Sequence, residues 1–255
     1  MLIGTSGWQY RHWRGGLYPE GLAVSRWLGH YAERFATVEV NNVFYRLPEL
    51  ATFKTWAEAV GDDFVFAVKV SRYLTHVRRL RDPDEPVQRF LERAAGLGPK
   101  LGPVLVQLPP SMPVDLDALD RALGCFPKGV RVAVEFRHDS WWTPGARSLL
   151  EGHGAALCLA DQAGQRSPLW RTADWGYLRL HGGRAQPPAC YGRAALQTWA
   201  DELAKLWPPP ADLYVYFNND QHGCAPHDAR WLASAARRAG LAPSRVPAVP
   251  ETPLR

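Results

Sequence analysis

The sequence predicts an α/β protein of a single domain, a TIM-barrel-like (β/α)8 parallel barrel, and three observations carry that expectation. Eight short β-rich runs alternate with longer stretches of helical spacing. The alternation fills most of the 255 residues, close to the ~250 typical of such barrels. No GxGxxG or GxxxxGK(S/T) motif follows an early run, so a doubly wound nucleotide fold lacks its usual fingerprint.

Taken in order, Leu2–Ser6 is the first β-like run and Ser25–Phe35 the first helical stretch. Thr37–Asn41 then precedes helical spacing over Ala51–Val60, and Phe64–Val70 precedes Asp84–Leu97. Val104–Leu108 leads to Asp115–Phe126, and Arg131–Phe136 to Pro144–Gly152. Asp84, Asp115, Pro144 and Pro226 read as caps or first-turn residues, and Gly61, Gly96, Gly152 and Gly240 as stops. Ala156–Ala160 is followed by a weak connection, Asp161–Trp175, whose Gly164 and Pro168 predict a loop or one helical turn. Tyr177–His181 and Leu213–Phe217 complete the eight runs, with helices expected over Ala194–Trp207 and Pro226–Ala239. The barrel domain is expected over residues 1–240. The tail 241–255, with four prolines, is expected to be extended or disordered.

Composition narrows the class. With 46% hydrophobic residues, 11 Trp, 9 Tyr and 9 Phe, the chain can bury a core, which excludes global disorder. No run of 18 uncharged apolar residues is present, so no membrane partner is expected, and the N-terminus does not resemble a secretory leader. A cytoplasmic protein is the resulting expectation. The four cysteines stand at least 32 residues apart without zinc-site spacing, which favours buried free thiols. A net charge of +5, carried mostly by arginine, suits an anionic small molecule or nucleic acid as partner.

Side chains on a strand alternate faces, and this period sorts the polar residues. On each run one set stays apolar while the other becomes polar at the C-terminal end. In a barrel those ends would gather Glu39, Asn41, Lys69, Gln107, Glu135, Arg137, Asp161, Arg179, His181, Asn218 and Asp220 at the mouth where barrel enzymes keep their active sites. An inward charge is costly unless paired or wetted, so these positions mark the candidate site. Lys69, Arg137 and Arg179 suit an anionic group, and Glu39, Glu135, Asp161 and His181 suit acid/base work. His76, on the basic stretch SRYLTHVRRL, and Asn219, in YFNND, are further candidate contacts. Trp8 and Trp141, with Trp13 and Trp142, could stack on a sugar or base. The carboxylate and imidazole inventory is compatible with a divalent metal, although no HExxH-type motif supports one and no cofactor is assigned. The leading expectation is a hydrolase or lyase, of phosphodiesterase type in its concrete form, acting on a phosphate ester, sugar phosphate or nucleic acid. A non-catalytic nucleic-acid- or metabolite-binding barrel and a carboxylate-pair glycoside hydrolase stay open.

Eight stretches resemble the DUF72 (YecE-like) family: GTSGWQYRHWRGGLYP, TVEVNNVFYRLP, FAVKVSRYLTH, KLGPVLVQLPPSM, VAVEFRHDSWW, LCLAD, YLRLHG and VYFNNDQHG. They occur in order through most of the chain. The resemblance implies a TIM-barrel fold and supplies no reaction, since the family is named for its unknown function. The segment Gly182–Tyr191, carrying RAQPPACY, departs from the Tyr-rich spacing the family implies.

Overall fold

A computed structural model describes residues 1–162 and 165–248. Among these residues nine strands form: β1 (Leu2–Thr5), β2 (Thr37–Val40), β3 (Val65–Lys69), β4 (Leu101–Gln107), β5 (Val132–Glu135), β6 (Ala156–Gln162), β7 (Gln165–Arg166), β8 (Gly176–Gly182) and β9 (Leu213–Phe217). The α-helices are α1 (Trp27–Ala32), α2 (Asn42–Tyr45), α3 (Leu50–Glu58), α4 (Asp84–Ala94), α5 (Leu116–Gly124), α6 (Pro144–His153), α7 (Arg193–Leu206) and α8 (Cys224–Arg238). Strand order is β1-β9-β8-β6-β5-β4-β3-β2, with β7 beside β6. This is the alternating α/β order of the TIM-barrel-like (β/α)8 class. All eight expected runs form strands, with ends moved by at most three residues.

Backbone contacts divide the chain into two compact units. One comprises Met1–Val38, Ala160–Arg166 and Leu178–Arg255. Within it β1 and β9 pair in parallel, Gly4 opposite Tyr216. A Cβ on Gly4 would lie 2.4 Å from the Thr37 carbonyl oxygen, so only glycine permits this approach of β1 to the start of β2. The Tyr31 hydroxyl accepts from the Thr5 amide (3.1 Å) and donates to the Thr37 carbonyl (3.1 Å). A buried side chain thereby satisfies backbone groups on both segments. α8 packs against β1 and α7. After α8, the Met1 ammonium donates to Ala242 O (3.0 Å) and the Ser244 amide to Met1 O (2.8 Å). Residues 249–255 of the expected tail lie outside the described residues.

The other unit comprises Glu39–Leu159 and Ser167–Tyr177. Here β3, β4, β5 and β6 pair in parallel, with Val104 opposite Val68 and Val132, and Val106 opposite Val134. These valines form the apolar face, and the opposite face carries Lys69, Leu105, Gln107, Ala133 and Glu135. Polarity therefore enters only at the C-terminal ends, as the period-two pattern predicts. Local signals set the helices. Asp115 accepts the Ala118 amide (2.9 Å) and opens α5, while Thr143 accepts the Ala146 amide (3.1 Å) ahead of Pro144 in α6.

Several expectations are corrected. Gly152 lies inside α6, and the stop is Gly154 at φ 62°, a left-handed backbone that glycine adopts without strain. Gly96 does follow the end of α4, in a 3-10 segment Ala95–Lys100, where a Cβ would lie 2.6 Å from Leu50 O. The connection after Ala160 is a loop only from Ser167 to Trp175: before it β6 runs on to Gln162 and pairs antiparallel with β7, Asp161 opposite Arg166. Gly164 falls outside the described residues. Cys190 and Cys224 are joined by a disulfide, leaving Cys125 and Cys158 as thiols. Separation by 34 residues gave no hint of the bridge, because the loop after β8 folds back onto the start of α8. Among the described residues, no helix is long and apolar enough to cross a membrane.

Candidate functional site

The chain lays a row of charged groups along the C-terminal ends of β3, β4 and β5. Lys69 ends β3, only 8% exposed, and its ammonium donates to Gln107 Oε1 on β4 at 2.7 Å. Gln107 lies opposite Glu135 on β5. The Glu135 carboxylate is fully buried and receives Arg137 Nη2 at 2.5 Å, while the Arg137 side chain keeps 22% exposure. Glu39, also fully buried, accepts a 2.7 Å hydrogen bond from the Tyr177 hydroxyl.

The loop after β3 completes this cluster. Lys69 Nζ stands 4.0 Å from the centroid of the Phe44 ring, on α2, and His76 meets the same ring edge-on at 4.9 Å. A cation over an aromatic face is attracted by the ring quadrupole. The five residues Tyr73–Val77 form a π-helical turn, a distortion common at functional positions, and it carries His76. The Thr75 hydroxyl lies 2.8 Å from His76 Nδ1, leaving Nε2 for proton transfer. Burial, then the positive charges of Lys69 and Arg72, hold the His76 pKa below its usual 6.5, so the imidazole is neutral at pH 7. Asn41, preceding α2, is half-buried with its Oδ1 lacking a hydrogen bond.

The other unit holds the remaining candidates except Trp141. Asp161 accepts Trp199 Nε1 (2.8 Å) and approaches Arg166 (3.5 Å), whose guanidinium covers the Trp199 ring at 4.2 Å. That network ties the β6–β7 pair to α7. Arg179 is buried, and His181 Nδ1 lies 3.0 Å from Asn218 Nδ2. Asn219, 2% exposed, donates to Ala189 O and to Asp228. Asp220 accepts Trp13 Nε1 (2.8 Å) and pairs with His12 Nε2 (2.7 Å). Sequence reasoning missed His12, because 208 residues separate it from its partner. The stacking platform expected of Trp8 and Trp141 does not form. Trp8 is 4% exposed, and Trp141 is fully buried, stacked on Phe136 and donating Nε1 to Met112 O. They seal the core.

Burial raises the Asp220 pKa to about 6, against the opposing influence of Trp13 and His12. The folded state thus holds this proton more tightly than the unfolded chain. The associated stability is present below the unfolded value near 3.8 and is lost as pH rises through about 6. Asp220→Asn removes this dependence. Its stability relative to wild type should rise by about 1–3 kcal/mol between pH 4 and pH 7. Thermal melts at both pH values measure this, and a constant difference would refute it.

Among the described residues, no group of three or more His, Cys, Asp or Glu side chains is placed to hold a metal ion. The donor set among those residues does not fit a metal centre.

Comparisons agree with this architecture. The UPF0759 protein YecE of Escherichia coli K12 is 26% identical over 277 residues, covering 98% of this chain and 98% of the relative. The UPF0759 protein YunF of Bacillus subtilis is 25% identical over 281 residues, covering 96% and 99%. The crystal structure of a DUF72 family protein from Thermotoga maritima superposes with a TM-score of 0.77 at 28% identity, covering 89% of this chain and 95% of that one. The family model described as "Protein of unknown function DUF72" matches residues 2–253, and the chain therefore belongs to the DUF72 family.

Proposed function

We propose that the protein is a hydrolase or lyase for a phosphate-bearing anionic substrate, working at the C-terminal ends of β3, β4 and β5. The observation that carries this reading is the pairing of Lys69 and His76 on one Phe44 ring, a buried cation beside an imidazole kept neutral. A low-dielectric cation binds an anion strongly, and a neutral imidazole is the form that accepts a proton. Arg137 supplies a second positive group, and the sealed carboxylate of Glu135 positions that guanidinium rather than moving a proton itself. Glu39, anchored to Tyr177, contributes negative charge behind the row. His76 Nε2 would take a proton from water or from the substrate carbon. It would then return the proton to the leaving oxygen.

Lys69→Met tests the anion site directly. Calorimetric titration with inorganic phosphate should show a weakening of about 10-fold or more, from loss of one charge-assisted contact. Unchanged phosphate affinity would remove the basis of the proposal. Phosphate binding by a wild-type protein that turns over no phosphomonoester or phosphodiester would mark it as a binding barrel instead.

A further inference from the structure

Outside that row, the loop after β3 and the segment around α2 present an unusual surface. Tyr45 is 77% exposed and Tyr73 45% exposed, although aromatic rings gain most from burial. Around them stand Arg46, Arg72 and Arg81, exposed and, among the described residues, making no side-chain hydrogen bond or ion pair. Arg78 reaches over the Tyr73 ring at 6.0 Å and pairs with Asp82 at 2.5 Å. A cavity of about 340 Å³ opens between Arg46, Tyr73, Arg89 and Arg93, floored by Leu74 and Phe90. Arg93 is committed to Glu49, and Arg89 lies 3.9 Å from Glu85.

The backbone here is strained. Arg79, Leu80 and Asp82 all have left-handed φ values (49°, 63° and 43°), and none is glycine. Each such residue costs on the order of 1–3 kcal/mol and persists only where its surroundings enforce it. The fully buried Leu80, whose amide donates to Leu74 O at 3.0 Å, is what holds the turn. Its burial turns the flanking Arg79 and Arg81 out to solvent.

We propose that this surface binds single-stranded nucleic acid. Exposed rings beside unpaired guanidinium groups are the two parts such a surface needs: base faces stack on the rings while arginines meet the phosphates. An anionic membrane fits less well. Its flat face would meet Glu49, Asp82 and Glu85 together with the arginines, whereas a strand presents phosphates and bases by turns.

Fluorescence anisotropy with a labelled 12-nucleotide oligothymidylate, titrated from 50 to 300 mM salt, tests the assignment. Wild-type affinity should fall linearly on logarithmic axes. In Arg46→Gln/Arg81→Gln the slope should shrink by about 1.4, at ~0.7 per phosphate contact. Tyr45→Ala and Tyr73→Ala should each weaken binding at least about fivefold. Tyrosine variants that bind as wild type does would overturn the proposal, as would equal sedimentation with vesicles containing 30% phosphatidylserine. The Lys69 site and this surface fail separately. Lys69→Met that loses phosphate yet keeps the oligonucleotide leaves the surface standing. Loss of the oligonucleotide in Arg46→Gln/Arg81→Gln with phosphate affinity retained leaves the site standing.

Discussion

Under the proposed phosphate-ester chemistry, His76→Gln is expected to lower turnover by about 10²–10⁴-fold while changing KM little. Glutamine keeps an amide near the Nδ1 position that Thr75 engages but cannot accept and return a proton. The pH profile separates this role from a structural one. In wild type the rate should fall with acid as His76 protonates, at a pKa below 6.5, because burial, Lys69 and Arg72 all oppose the imidazolium. The variant should lack that acid limb. Lys69→Met should move the limb upward, since one of the two opposing charges has gone. An acid limb that stays in place in Lys69→Met, or that survives in His76→Gln, would assign the proton transfer to another group.

What could be read from the sequence, and what could not, follows from the range of the interactions. Period-two alternation is local, so the strands and the inward-facing Lys69, Gln107 and Glu135 were all legible, and the β3–β4–β5 register bears the facing pattern out. Helix starts at Asp115 and Pro144 were equally legible, because a cap is chosen by residues within one turn. The support beneath the site was not. Phe44 sits on a four-residue helix too short to show a period, yet it is the ring that joins Lys69 to His76. The π turn at Tyr73–Val77 has no sequence signature, and the tryptophans next to Gly and Pro pattern alike whether they stack on a ligand or seal a core. The Cys190–Cys224 bridge and the His12–Asp220 pair depend on chain folded between distant segments, which neither composition nor spacing encodes.

Asp228→Ala should be among the most destabilising single changes in the chain, at about 2–4 kcal/mol, or about 5–12 °C in Tm. Asp228 is fully buried on α8, and its Oδ2 accepts both the Tyr191 amide (2.8 Å) and Asn219 Nδ2 (2.7 Å). Alanine leaves the Tyr191 amide without an acceptor and Asn219 Nδ2 with only its bond to Ala189 O, and a buried donor left unpaired costs more than the bond contributed. Asp228→Asn, which keeps one acceptor oxygen, should recover part of the loss. The same segment is clamped a second way. Cys190 precedes Tyr191, and its disulfide partner Cys224 opens α8 four residues before Asp228. Closing a loop of 34 residues contributes about 2–4 kcal/mol in the chain-entropy account. Because bridge and carboxylate restrain one piece of chain, their effects should not add. Once the bridge is reduced, the loop detaches more readily, and Asp228→Ala then removes contacts already weakened. Its cost in reduced protein should be smaller than in oxidised protein by about 0.5–3 kcal/mol, read from denaturant melts with and without reductant. Equal costs in the two states would mean that the bridge and the carboxylate hold independent parts of the fold.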